Sequence, residues 1–164
     1  MLAQNAPGAE PETVASVDLD RYAGVWYEFA RIPNPFQRQC VSNTTAEYTM
    51  REDGRIDVLN RCVKEGGAWD EAHGIARVVD DLSNARLKVS FVRFLGRSLF
   101  WGDYWVVGLG ADYEYAIIGT PDRKYGWLLT REPVVSEDLE DEMFFVLEKR
   151  GYRYADFEKT LHPR

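Results

Sequence analysis

The sequence predicts an all-β protein: an eight-stranded antiparallel up-and-down barrel with one C-terminal α-helix packed outside it. Three observations lead to this fold class. Eight short runs rich in β-branched and aromatic residues follow one another, turn residues separate them, and one amphipathic helix comes after the eighth run. A chain of 164 residues suits one domain. We expect a flexible N-terminal leader over residues 1–17 and a barrel domain over residues 18–164.

The strand-like runs alternate apolar and polar residues with a period of two, as a strand with one buried face does. The fifth run is the clearest case, because Leu87, Val89 and Phe91 alternate with Lys88 and Ser90. Closing such strands into a barrel removes the edges at which sheets aggregate. The eight runs span residues 26–31, 44–50, 56–63, 74–79, 86–92, 104–109, 115–119 and 126–131.

Turn residues stand between the runs. Asp53-Gly54 separates the second run from the third, and an Asp-Gly pair in this position is a strong hairpin signal. Asn84, residues 110–112 and residues 121–122 mark later turns. Short connections of this kind favour a meander in which consecutive strands are neighbours.

One helix follows the strands. Ser136 is a suitable N-cap before three acidic residues, which favour the positive end of a helix. Leu139, Met143 and Leu147 then share one face at helical spacing, and Gly151 can end the helix in a left-handed conformation. We expect the apolar face of this helix to lie against the outside of the barrel.

Composition excludes several classes of partner. The net charge is −7, and an acidic surface repels phosphate backbones, so nucleic acid is not an expected partner. No run approaches the ~18 apolar residues that a membrane-spanning helix needs. His73 and His162 lie far from both cysteines in the sequence, so we predict neither a metal site nor a cofactor.

The two cysteines, Cys40 and Cys62, flank the Asp53-Gly54 hairpin. Counting outward from the turn places them nearly opposite each other, which predicts a disulfide between the second and third strands. A bridge implies an oxidising compartment such as the periplasm or the cell exterior. The alternative is a free, reactive thiol.

Three segments resemble the motif regions of the lipocalin family. Gly24-Val25-Trp26 at the first strand is similar to its Gly-x-Trp signature, residues 102–107 to its second motif, and residues 127–133 to its third. Ala46-Glu47-Tyr48 and Val58-Leu59-Asn60 resemble the branch of bacterial outer-membrane lipocalins and apolipoprotein D. The resemblance implies a protein of the periplasm, the outer membrane or the exterior that binds, stores or transports a fatty acid or a lysophospholipid-like molecule.

The resemblance also implies roles for individual residues. Gly24, Trp26 and Arg131 are expected to be structural, with the Arg131 guanidinium lying across the indole that closes one end of the barrel. Strand alternation then sorts the interior, where Glu28 and Ala30 point inward with Trp26. We expect Glu28 to be a neutral, hydrogen-bonded acid near the closed end. The predicted ligand-binding residues are Glu28, Tyr48, Met50, Val58, Asn60, Val89, Phe91, Tyr104, Val106, Trp127 and Leu129.

Two other functions remain open from the residues. The barrel could be filled by side chains in an envelope interaction protein, or a cysteine in the cavity could make the protein an enzyme, although we predict no catalysis. The connection over residues 94–102 is unusually apolar, with Leu95, Leu99, Phe100 and Trp101. It could contact a membrane surface or a second copy of the chain, or pack on its own barrel.

Overall fold

A computed structural model describes residues 8–94, 97–98 and 101–163. In it the strands follow one another with short connections, one α-helix precedes the first strand, and a second α-helix follows the ninth. The helices are α1 (Leu19–Tyr22) and α2 (Glu137–Lys149), and 3₁₀ turns occupy Pro35–Gln37 and Tyr154–Asp156. The strands are β1 (Gly24–Arg31), β2 (Cys40–Met50), β3 (Ile56–Lys64), β4 (Trp69–Val78), β5 (Arg86–Phe94), β6 (Arg97–Ser98), β7 (Gly102–Leu109), β8 (Tyr115–Gly119), β9 (Gly126–Thr130) and β10 (Glu158–Lys159).

Eight of these strands form the predicted closed barrel. Each of β1 to β5 and β7 to β9 pairs antiparallel with the next, and β1 also pairs with β9, where Tyr27 stands opposite Thr130. Because the last strand returns to the first, these strands leave no open edge for another chain. The short β6 pairs with β5, and β10 pairs with β1. The predicted fold class is confirmed.

Local turn chemistry sets the register of the first hairpin. Gly54 adopts a φ of 83°, a conformation that costs glycine little, and the Arg51 amide donates to the Arg55 carbonyl at 2.8 Å. The register that follows places Tyr48 opposite Val58 and Ala46 opposite Asn60. Both pairs therefore face the barrel interior, as the alternation predicts.

A β-bulge in β1 corrects the prediction for Ala30. Trp26 and Glu28 point inward, but the register with β9 shifts between Glu28 and Ala30. An extra residue at a bulge breaks the two-residue alternation of a strand. Ala30 consequently packs in the outer core with Leu128 and Met143 rather than in the barrel interior.

The outer core lies between the barrel wall and α2. Met143 and Leu147 are fully buried there against Val107 and Ile117, so the predicted helix packs outside the barrel. Its N-terminus is capped as predicted, since the Ser136 hydroxyl accepts from the Leu139 amide at 3.2 Å. The helix adds a second layer outside β7, β8 and β9 and does not enter the barrel interior.

The segment before the barrel lies against it from residue 9 onward. The Val14 amide donates to the Val106 carbonyl at 3.0 Å, and the Val17 amide donates to the Ser83 carbonyl at 2.8 Å. Val17 is buried in the inner core. Residues 8–17, part of the predicted leader, are therefore held on the barrel surface, while residues 1–7 lie outside the described residues.

The C-terminal segment completes the wall between β1 and β2. These strands pair directly only from Gly24 to Tyr27. Beyond that point the Thr160 amide donates to the Phe29 carbonyl at 2.9 Å, and the Asn43 amide donates to the Leu161 carbonyl at 2.8 Å. Neither helix in the described part of the chain has the length and apolar character to cross a membrane.

Candidate functional site

The barrel encloses a cavity of about 820 Å³. Its exposed lining residues, such as Phe36 and Asp122, lie on loops at one end, which we call the open end. The other end, where β1 begins and α1 crosses, is the closed end. Ten of the predicted ligand-binding residues line the cavity: Glu28, Tyr48, Val58, Asn60, Val89, Phe91, Tyr104, Val106, Trp127 and Leu129.

Met50 is the exception among the predicted cavity residues. It lies at the end of β2 opposite Ile56 and packs against the inner core, but it is not part of the cavity wall. The hairpin begins at the next residue, so Met50 sits beyond the floor of the cavity. Strand alternation predicts the face on which a residue lies, but not how deep the empty space extends.

The closed end is sealed by Trp26, which is fully buried. Its indole Nε1 donates to the Tyr22 carbonyl at 2.8 Å, and the Arg131 guanidinium carbon lies 3.7 Å from the ring centroid. Gly24 has a φ of 103°, and a Cβ there would come within 3.4 Å of Arg131 Nη1. Arg131 also donates to the Arg21 carbonyl at 2.7 Å. The predicted Trp26–Arg131 stacking is thus present, outside the cavity wall.

Three tyrosine hydroxyls form a chain near the closed end of the cavity. The Tyr22 and Tyr104 oxygens are 2.6 Å apart, and Tyr104 donates to Tyr48 at 2.9 Å. Burial raises the pKa of Tyr48 to about 12 and raises the pKa values of Tyr22 and Tyr104 well above the usual range. All three hydroxyls therefore stay protonated at neutral pH.

Glu28 forms an ion pair and two hydrogen bonds in the open half of the barrel, whereas the sequence predicted a hydrogen-bonded acid near the closed end. Arg31 Nη1 forms an ion pair with Glu28 Oε1 at 2.8 Å. Gln37 Nε2 donates to Oε2 at 2.7 Å, and the Thr160 hydroxyl donates to Oε1 at 2.6 Å. Two of these partners, Gln37 and Thr160, could not be predicted from the sequence because they are distant from Glu28 along the chain. These contacts place Glu28 in the open half of the barrel, beneath the loop after β1.

Gln37 is a cavity residue that sequence analysis missed. Its side-chain oxygen accepts from Asn34 Nδ2 at 2.8 Å and from Trp127 Nε1 at 2.9 Å. The indole N–H of Trp127 is thus bonded to Gln37, while Trp127 also lines the cavity. Gln37 follows two prolines in a loop and carries no periodic signal. Tyr22, also missed, reaches the cavity from the short α1.

The open end is rimmed by aromatic side chains. The Tyr125 and Trp127 rings stack with centroids 6.1 Å apart, and the Arg77 guanidinium lies 4.6 Å from the centroid of Trp101. Trp101 lines the cavity mouth. The other apolar residues noted in the 94–102 connection, Leu95, Leu99 and Phe100, lie outside the described residues.

The charge of the cavity wall is acidic. Among the described lining residues the charged side chains are Glu28, Asp103 and Asp122, and none is basic. Lys88 pairs with Asp103 at 2.7 Å from outside the lining. Hydrogen bonds from the Lys124 amide and the Thr120 hydroxyl lower the pKa of Asp122, which keeps it ionised. No described side chain could therefore neutralise an anion inside the cavity.

The predicted disulfide between Cys40 and Cys62 is confirmed, with the two Cα atoms 5.4 Å apart. It fastens the start of β2 to the end of β3. Since the chain has two cysteines and both are bridged, neither supplies the thiolate that the enzymatic alternative requires. Within the described ranges no group of three or more His, Cys, Asp or Glu side chains could hold a metal ion.

The fold and the cavity together define a class of protein. An eight-stranded barrel with a solid floor, an apolar chamber and one open end is the architecture of a binding protein for a small hydrophobic molecule. The chain belongs to the lipocalin family, since a family model described as "Lipocalin-like domain" matches residues 17–162. The predicted resemblance is therefore confirmed.

The relatives agree with the predicted branch. The chain is 35% identical to outer membrane lipoprotein Blc of Escherichia coli (strain K12) over 151 residues, 92% of this chain and 82% of that protein. It is 33% identical to apolipoprotein D of Macaca fascicularis over 130 residues, 74% of this chain and 64% of that protein. Insecticyanin from the tobacco hornworm Manduca sexta, at 22% identity, shares the fold with a TM-score of 0.77 over 95% of this chain and 85% of that chain.

Proposed function

We propose that this lipocalin binds, stores or transports a fatty acid or a lysophospholipid-like molecule in its barrel. The observation that carries the proposal is the cavity of about 820 Å³, walled by apolar residues such as Val58, Val106 and Leu129 and open at one end. Its volume lies in the range of roughly 300–1,000 Å³ that is common for small-ligand sites.

Burial of hydrocarbon supplies the driving force. About 15 methylene groups moved from water into the barrel contribute roughly 12 kcal/mol at ~0.8 kcal/mol each. Association costs at least ~4 kcal/mol of translational and rotational freedom. The difference of about 8 kcal/mol corresponds to a dissociation constant near 1 μM.

The charge of the wall orients the ligand. Because the described lining carries carboxylates and no basic side chain, an anionic head group is unfavourable inside the barrel. A fatty acid or a lysophospholipid would enter by its alkyl chain and leave its charged group in water at the open end. Trp127 and Trp101, both in the wall of the open half, would contact the part of the chain nearest the head group.

The compartment follows from the disulfide and from the relatives. A Cys40–Cys62 bridge persists in oxidising surroundings. Blc of Escherichia coli is named as an outer membrane lipoprotein. We place this protein, by the same reasoning, in the periplasm, at the outer membrane or outside the cell.

The interaction-protein alternative has less support. It assumed a barrel filled by side chains, whereas the structure contains a large cavity. A contact with a membrane surface or with a second copy through residues 94–102 stays a prediction. Exposed side chains at the open end, such as that of Trp69, make a contact there physically reasonable.

The test is extraction followed by titration. Purified protein is denatured, extracted with organic solvent and analysed by mass spectrometry for co-purified lipid. The delipidated protein is then titrated with octadecanoic acid and with a lysophospholipid while tryptophan fluorescence is recorded. We expect saturable quenching that is much reduced in Trp127→Phe and unchanged in Trp69→Phe, whose side chain is 60% exposed. Absence of lipid and of saturation with both ligands would refute the proposal.

A further inference from the structure

We propose that the Tyr48 hydroxyl donates a hydrogen bond to the ligand, so that the cavity selects hydrophobic molecules with an uncharged acceptor oxygen deep in the barrel. Ketones, esters, alcohols and amides carry such an oxygen. The inference rests on the proposed function, because it specifies the ligand class of the same cavity.

The first argument is a count of protons in the tyrosine chain. Tyr22, Tyr104 and Tyr48 have one hydroxyl proton each, and two hydrogen bonds join them. Since Tyr104 donates to Tyr48, the proton of Tyr104 is used, and Tyr22 must donate to Tyr104. The proton of Tyr48 is left over.

The second argument is the position of that remaining donor. Tyr48 is only 8% exposed and lines the cavity. In the described part of the chain, the one hydrogen-bond partner of its hydroxyl is Tyr104, which is the donor in that bond. A buried donor that lacks an acceptor is unfavourable, and it gains most when a ligand brings one. The empty space beside Tyr48 is where such an oxygen can sit.

The third argument concerns the charge of the acceptor. Burial raises the pKa of the Tyr48 hydroxyl, so it donates as a neutral group at physiological pH. A carboxylate at this depth would have no described basic side chain in the cavity wall to pair with. A neutral oxygen needs only the hydrogen bond from Tyr48. The hydrogen bonds from Tyr22 to Tyr104 and from Tyr104 to Tyr48 align the hydroxyl dipoles and so strengthen the bond from Tyr48 to the ligand.

The depth of the site defines where the oxygen must be in the ligand. Tyr48 stands opposite Gly24, the first residue of β1, and so lies near the closed end. Trp127 and Gln37 lie in the open half. A ligand that enters by its alkyl chain therefore meets Tyr48 with its distal carbons, far from an anionic head group in the mouth.

The experiment compares octadecanoic acid with a set of oxo-octadecanoic acids that carry the ketone at different carbons. We expect one ketone position in the distal half to bind about five- to tenfold more tightly than octadecanoic acid, the gain of one buried hydrogen bond. In Tyr48→Phe this preference should disappear, so that the oxo-acids and octadecanoic acid bind to this variant with the same affinity.

Two further variants separate a donor role from a structural one. Tyr27→Phe also removes a tyrosine hydroxyl from the paired strands β1 and β2. Because Tyr27 lies outside the cavity wall, this variant should keep the ketone preference. Tyr22→Phe removes the last hydroxyl of the tyrosine chain and leaves the Tyr48 proton available, so this variant should keep most of the ketone preference. Loss of the ketone preference in Tyr48→Phe, Tyr27→Phe and Tyr22→Phe alike would mean that tyrosine packing, and not the Tyr48 donor, causes the preference.

An infrared measurement on the wild type gives an independent test. On binding, the C=O stretching band of the tightest-binding oxo-acid should shift to lower frequency. This shift should be larger than the shift of an isomer whose ketone lies near the head group. Equal affinity for all the oxo-acids, together with no such difference in frequency, would overturn the inference. Normal binding of octadecanoic acid in the same experiment would leave the proposed function intact. If neither octadecanoic acid nor any oxo-acid binds, both proposals fail.

Discussion

Trp127 donates its indole N–H to the side-chain oxygen of Gln37 at 2.9 Å, and this contact joins β9 to the loop that follows β1. The amide nitrogen of the same glutamine donates to Glu28 at 2.7 Å. One side chain of a loop therefore bridges two strands of the barrel wall in its open half. Partly buried polar contacts therefore attach the loop that borders the cavity mouth to the barrel wall.

Replacing Gln37 should loosen this loop. Gln37→Leu introduces an apolar side chain of similar size, which leaves the Trp127 N–H without its acceptor and Glu28 with one donor fewer. We expect a loss of about 1–3 kcal/mol in the free energy of unfolding, measured with urea. A bound fluorescent fatty acid should also dissociate several-fold faster.

Gln39→Leu is the matched control. Gln39 belongs to the same loop, but it is exposed and bonds only to Asp70, at 3.1 Å. It should change neither the stability nor the dissociation rate appreciably. Equal effects from both substitutions would show that the bridge to Trp127 does not hold the loop.

The ion pair between Glu28 and Arg31 leads to a second prediction. Glu28→Gln keeps the shape, but an amide nitrogen then faces one of the donors Arg31, Gln37 or Thr160, and the partly buried Arg31 guanidinium loses its counter-charge. We expect about 1.5–3 kcal/mol of destabilisation in urea unfolding. The exposed Glu47 on β2 provides the control, because Glu47→Gln should be nearly neutral. A Glu28→Gln variant as stable as wild type would instead support a neutral acid.

The disulfide gives a third prediction. The bridge closes a loop across 22 residues of sequence separation, and its loss should cost about 3 kcal/mol. Urea unfolding with and without reductant measures this difference. The double variant Cys40→Ser/Cys62→Ser should unfold at the midpoint of the reduced protein and should not respond to reductant. A response in the double variant would point to an effect of the reductant itself.

Alkaline pH should destabilise the protein through the tyrosine chain. The pKa of Tyr48 is about 12 in the folded protein and about 10 when unfolded. The unfolded chain therefore releases the proton first, and stability is retained below about pH 10 and declines by roughly 1.4 kcal/mol per pH unit for such a group above it. Urea midpoints measured towards pH 12 should fall less steeply in Tyr48→Phe.

A cavity substitution without a titrating group is the control for this slope. Val58→Ala should lower stability by a similar amount at every pH, because it removes buried methyl groups and no proton. If Tyr48→Phe follows the same slope as the wild type, the buried hydroxyl does not titrate with unfolding.

Much of the barrel could be predicted because alternation and turns are local signals. The 86–92 run predicted the inward side of Leu87, Val89 and Phe91 correctly. The Asp53-Gly54 turn predicted that the strands carrying Cys40 and Cys62 pair, although two register shifts in β2 place Cys40 opposite Lys64. Ten cavity residues followed from the same counting together with the lipocalin resemblance. In each of these cases the relevant information lies within a few residues of the chain.

The features that escaped prediction depend on distant parts of the chain. The outward turn of Ala30 arises from a bulge that only the pairing of β1 with β9 creates. Glu28 gains two of its hydrogen-bond donors, Gln37 and Thr160, because two other segments approach it in the fold. The free proton of Tyr48 depends on hydroxyls from α1 and β7. No periodicity within one segment carries this information.

The bulge in β1 also divides that strand into two parts that can change independently. Before it, Trp26 and Glu28 belong to the interior, and after it, Ala30 belongs to the layer under α2. A substitution at Glu28 therefore acts on the chamber, whereas a substitution at Ala30 acts on the layer under the helix. The helix side can likewise be stabilised without altering what the chamber accepts, which makes this barrel a suitable scaffold for engineered binding proteins.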